Sequence, residues 1–135
     1  MNVAARHLVE SYRFWDVVKL WAREELEADE IIARALARGI VQDGLPLHSV
    51  DPRWASGTDP NLEFRGYPYV GYAARPGGAP VILKAESLEH LLSIVRRGKS
   101  PSRRKLTDDF IFRGDFRNWL VATKQQLPTF WFAER

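Results

Sequence analysis

Seven side chains in the C-terminal third have the chemistry to hold a polyanion. Arg103, Arg104, Lys105, Arg113, Arg117 and Lys124 are cations, and Asn118 is a candidate reader of a base edge. Each cation that meets a phosphate releases condensed counterions, which gives affinity that is sensitive to salt and indifferent to sequence. These residues extend a stronger local feature. The stretch Arg96-Arg97-Gly98-Lys99-Ser100-Pro101-Ser102-Arg103-Arg104-Lys105 holds six basic residues in ten and no acid. Residues 1–95 carry 10 basic and 13 acidic residues, whereas residues 96–135 carry 10 and 4. An acidic body with a basic final third suits a nucleic-acid partner.

Catalytic and metal chemistry has little to stand on. His7, His48 and His90 lie far apart, with no metal-ligand spacing among them. The absence of cysteine removes thiolate ligands, disulfides and Cys nucleophiles together. No phosphate-binding loop, dinucleotide fingerprint or nucleophile elbow occurs. Adjacent Asp108 and Asp109 would point about 100° apart on a helix, so they read as terminus charges or partners of Arg103 and Arg104. No catalytic residue, metal or cofactor is therefore assigned.

Two aromatic stretches are candidate contact surfaces. By strand periodicity Tyr67 and Tyr69 share one face. The octamer Arg65-Gly66-Tyr67-Pro68-Tyr69-Val70-Gly71-Tyr72 resembles the RNP1 motif of RNA-recognition-motif domains, departing at Pro68, where Gly or Ala is expected. The resemblance implies bases stacked on Tyr67 and Tyr69 from an open sheet. It extends no further than these eight residues. Pro68 lacks the N–H that a central strand donates, and helices stand where that family has its first strand, so an aromatic edge strand is the reading adopted. The second stretch is Phe130-Trp131-Phe132. Three consecutive rings on an extended chain cannot all face one core, so one or two are expected to dock and the remainder could anchor a protein partner or a second copy.

The elements that must position these groups follow from periodicity and punctuation. Leu8, Tyr12, Trp15, Val18 and Ala22 have helical spacing, predicting a helix over residues 3–22. The acidic segment 24–30 suits the first turn of a second helix, with Arg38 in its last turn and Gly39 as a left-handed cap. Turn residues crowd positions 42–61. Strand-like runs on either side of Arg75-Pro76-Gly77-Gly78-Ala79-Pro80 predict a β-hairpin. Ser87 reads as the cap of a helix over 88–97 that Gly98 closes, and Ser100-Pro101 as the start of a short helix over 101–108. A last helix is expected over 115–124, capped by Asp115 after the connection 110–114. The helices 101–108 and 115–124 together would make a helix-turn-helix-like unit.

At 135 residues, 45% hydrophobic and with five Trp, the chain has the make-up of one packed domain. The expected class is α+β: a helical N-terminal part over 1–41, loop and hairpin over 42–85, and a basic helical part over 86–135. No apolar run is long enough to cross a bilayer. The N-terminal residues lack the apolar run of a signal peptide, so a cytoplasmic setting is expected. The leading functional expectation is a non-enzymatic regulatory domain that contacts nucleic acid through its basic C-terminal unit. The alternative is a protein-interaction module, adaptor or inhibitor, using segment 24–30 and the aromatic tail. A small enzyme with a site assembled from distant residues is the third.

Overall fold

The computed structural model describes residues 9–50, 69–73 and 80–132. In chain order these form β1 (Ser11–Arg13), α1 (Phe14–Glu25), α2 (Asp29–Gln42), β2 (Tyr69–Ala73), β3 (Pro80–Lys84), α3 (Ala85–Arg97), β4 (Phe110–Phe112) and α4 (Arg113–Ala122). The strands make two antiparallel pairs, β1 with β4 and β2 with β3, and the chain is α+β as expected. Two-stranded ribbons are marginal alone, and here residues 48 and 49 stitch them together. His48 exchanges backbone hydrogen bonds with Phe110 of β4, while the Ser49 N–H donates to the Ile82 carbonyl of β3 at 2.8 Å.

The first helix begins at Phe14, because β4 draws residues 11–13 into a strand, with Ser11 opposite Phe112 and Arg13 opposite Phe110. Phe14, Val17, Val18, Trp21 and Ala22 then form its buried stripe, leaving Trp15 half-buried at the border. Asp29 and Glu30 occupy the first turn of α2, where their charge complements the dipole. Gly39, however, does not end that helix. It lies inside α2, and a Cβ there would stand 2.6 Å from Trp119 Cζ2. The glycine is needed for the close approach of α4. Gly39→Ala gains helix propensity, but the overlap outweighs it, and urea unfolding should show a net loss of about 1–2 kcal/mol.

The hairpin forms as expected, with Tyr69 opposite Lys84 and Ala73 opposite Pro80. Its turn and Tyr67 lie outside the described residues. Gly98 closes α3 in the left-handed region (φ 69°), its N–H bonded to the Ile94 carbonyl. The start of α3 differs from expectation: Lys84 is the N-cap, and Ser87 is buried within the helix, engaged elsewhere.

The largest departures come after Gly98. Residues 101–108 are a succession of turns rather than a helix, and Phe110-Ile111-Phe112, expected as a connection, is β4. Tertiary contacts override the Ser-Pro start signal: Leu106 is buried with φ 63°, and the Trp15 indole N–H donates to the Lys105 carbonyl at 2.7 Å. The helix-turn-helix-like unit therefore lacks its first helix. Asp115 is not a cap either, since α4 starts at Arg113 and Asp115 sits in its first turn.

All three tail rings, Phe130, Trp131 and Phe132, are buried, against the expectation of one or two. The tail is curled rather than extended. The Pro128 carbonyl accepts from the N–H groups of both Trp131 and Phe132, so the rings fan around a turn instead of alternating. Glu24 fixes that turn by accepting from Thr129 N–H, Thr129 Oγ1 and Phe130 N–H at 2.7–2.8 Å. The rings meet Tyr12 and Phe116, and Phe116 continues the cluster to Trp21 and Trp119.

Candidate nucleic-acid interface

The basic stretch becomes a loop that leaves the C-terminus of α3 and returns over the start of α2. Its backbone is anchored at four points. The Lys99 N–H donates to the Ser93 carbonyl, and the Arg34 guanidinium donates to the Gly98 carbonyl at 3.4 Å. The Ser102 N–H donates to His90 Nε2 at 3.0 Å, and Trp15 holds Lys105. Within the turn, the Arg104 N–H donates to Ser102 Oγ and the Lys105 N–H to the Ser102 carbonyl. Fixing the main chain this way leaves the cationic heads outside.

Those heads divide into two groups. Arg103 is spent on the fold: it pairs with Asp29, and its guanidinium lies 5.0 Å over the Trp15 ring. Lys105 sits 3.9 Å from Glu86. Arg96, Arg97, Lys99 and Arg104 are exposed, with no carboxylate partner among the described residues. Arg97, Lys99 and Lys105 also line a shallow groove with Glu86, Glu89, His90 and Ser93.

The remaining candidates lie elsewhere. Arg113 is turned inward, its Nε donating to the Trp131 carbonyl and its guanidinium 4.5 Å over the Phe132 ring. Arg117, Asn118 and Lys124 are exposed. Asn118 borders a second groove with Asp43, Leu45 and Trp119 at the C-terminal end of α2. The basic loop is tied to the first half of the helix, at Asp29 and Arg34. Asp29 and Asp43, which hold Arg103 and Trp119, lie roughly 20 Å apart along it. The fold thus brings Arg103, Arg104 and Lys105 together with Arg96, Arg97 and Lys99, and leaves the α4 candidates apart. Tyr69 is half-buried on β2. The carboxylates of segment 24–30 are largely engaged inside the fold: Glu24 with the tail, Glu25 with the Trp21 indole, Asp29 with Arg103 and Glu30 with Arg34.

A buried polar knot lies behind the loop. Asp109, 1% exposed, accepts from Ser49 Oγ at 2.5 Å and Ser87 Oγ at 2.6 Å. Ser49 Oγ also accepts the Lys84 N–H, and the Asp109 carbonyl accepts the Phe14 N–H at 2.8 Å. One residue therefore joins α1, β3, α3 and the 48–49 bridge. Asp108 points away to Lys84 at 3.6 Å, so neither aspartate serves Arg103 or Arg104. Asp109→Ala strands the buried Ser87 hydroxyl and takes one partner from the half-buried Ser49 hydroxyl, and equilibrium unfolding should register a loss of about 2–3 kcal/mol. His48 Nε2 lies 3.7 Å from Asp115 Oδ2 while its ring stacks on Phe110. The adjacent hydroxyl, Ser49, is committed to Asp109 and so is not aligned as a nucleophile for this His–Asp pair. Nor do those residues include three His, Asp or Glu groups placed to hold a metal.

No protein-family model, curated protein or solved structure matches this chain. Among the described residues no helix is long and apolar enough to cross a membrane. One part of the site escapes sequence reasoning. His90 gains its role from a contact 12 residues away, with no local signal.

Proposed function

We propose that the protein is a non-enzymatic, regulatory binding domain that engages nucleic acid through the loop joining α3 to β4. The observation that carries this reading is the anchored backbone of residues 98–105, with Arg96, Arg97, Lys99 and Arg104 exposed and free of carboxylate partners among the described residues. Cations held in place before the ligand arrives lose little freedom on meeting phosphates. Their contacts carry no sequence information, so the expected ligand is the backbone of a duplex or single strand rather than a particular site. Arg113 contributes to the fold, while Arg117, Asn118 and Lys124 belong to α4 and the residues after it, which Trp119 fixes to Asp43 rather than to the Asp29 end where Arg103 is held.

The test is the salt dependence of binding to a generic DNA duplex, read by fluorescence anisotropy. Four phosphate contacts give a log–log slope of roughly −3 to −4 and a fall in affinity of roughly 100-fold between 50 and 200 mM salt. No binding at low ionic strength would remove the proposal.

A further inference from the structure

We infer that His90 is a proton-operated latch on the basic loop, so that seating a polyanion on the loop is coupled to proton uptake by this imidazole. The inference rests on reading the loop as the nucleic-acid interface. His90 is half-buried on α3, and its Nε2 accepts the Ser102 N–H at 3.0 Å. Only an unprotonated Nε2 offers the lone pair that bond needs, which places the ring proton on Nδ1. Ser102 in turn holds Arg104 through its hydroxyl and Lys105 through its carbonyl. A single imidazole lone pair therefore stands at the base of the turn that carries Arg103, Arg104 and Lys105. Once Nε2 is protonated it faces Ser102 donor to donor and this one bond is lost, while the anchors at Gly98, Lys99 and Lys105 remain to hold the loop.

The charges around the ring decide when that happens. Glu86, Glu89 and Arg97 come from the same helix, and Lys99 and Lys105 from the loop. Arg34 of α2 reaches the same loop at Gly98. Glu86 is already drawn toward Lys105. Burial first, then Lys105 and then Lys99, hold the imidazole below its ordinary pKa of about 6.5. In the free protein the latch is therefore closed at neutral pH. As pH falls below about 6.5 the unfolded chain takes up a proton that the folded chain still refuses, so folding stability declines with acid. Phosphates lying against Lys99 and Lys105 reverse two of the three influences and favour the imidazolium. By reciprocity, acid must then strengthen polyanion binding.

The decisive variant is His90→Gln, whose side-chain carbonyl can accept the Ser102 N–H but does not titrate. At 50 mM salt, the full-length wild type should bind a DNA duplex about fivefold or more tightly at pH 5.5 than at pH 7.5, and H90Q should change by less than about twofold. His7 and His48 are retained in both proteins, so the comparison isolates His90. Without DNA, the Ser102 amide resonance should titrate together with the His90 ring in the wild type. Equal pH dependence of binding in the two proteins would overturn the inference, as would a Ser102 amide that ignores His90. If no duplex binds at any pH, the loop's functional reading fails, yet the amide titration still decides whether the latch exists.

Discussion

Trp131→Ala should cost about 3–5 kcal/mol of folding stability, a large share of the 5–15 kcal/mol typical of a domain. The side chain is fully buried, packs 4.8 Å from Tyr12 and 5.4 Å from Phe116, and donates its indole N–H to the Val9 carbonyl at 2.7 Å. Truncation leaves a cavity at the centre of the aromatic cluster and an unpaired carbonyl at its edge. The Arg113 guanidinium bond to the main-chain carbonyl of residue 131 survives the truncation, so the loss reports the ring and its indole N–H. Thermal unfolding followed by near-ultraviolet circular dichroism should show a drop of about 10–20 °C. A loss below about 3 °C would mean that the tail is a docked appendage rather than core.

The second large effect concerns binding alone. Reversing Arg97, Lys99 and Arg104 to Glu should lower affinity for a DNA duplex roughly 100- to 1,000-fold at 50 mM salt, because three counterion-releasing contacts become repulsive. All three are exposed with no ion pair among the described residues, so the melting temperature should move by only a few degrees. Arg117→Glu with Lys124→Glu is the matched control. Those cations sit on α4 and just beyond it, on a helix that Trp119 fixes to Asp43, and their reversal should change affinity by less than about threefold. Equal losses in the two variants would spread the interface over the whole basic third.

The contrast between these variants reflects what sequence can and cannot carry. The hairpin, the acidic start of α2 and the Gly98 cap were legible because each is decided by neighbours within a few residues. Residues 101–108 were not. Their Ser-Pro signal is outweighed by Trp15, which is 90 positions from its partner Lys105. Gly39 shows the same limit: a glycine near a helix end reads as a cap, and only the approach of Trp119 reveals a packing requirement. The tail failed for a different reason. Alternation along an extended chain forbids three buried rings in a row, but the turn at Pro128 permits them, and Glu24 stabilises it from 105 residues away. For the site, the cationic composition of the loop was readable, whereas its separation from α4 depends on both being fixed to opposite ends of one helix.

Amide chemical-shift mapping of the labelled protein titrated with a short DNA duplex locates the interface residue by residue. Perturbations should concentrate on residues 96–105, excluding Pro101, and on His90, while Arg117, Asn118 and Lys124 stay close to their free positions. Shifts centred on α4, or none at low salt, would contradict that placement.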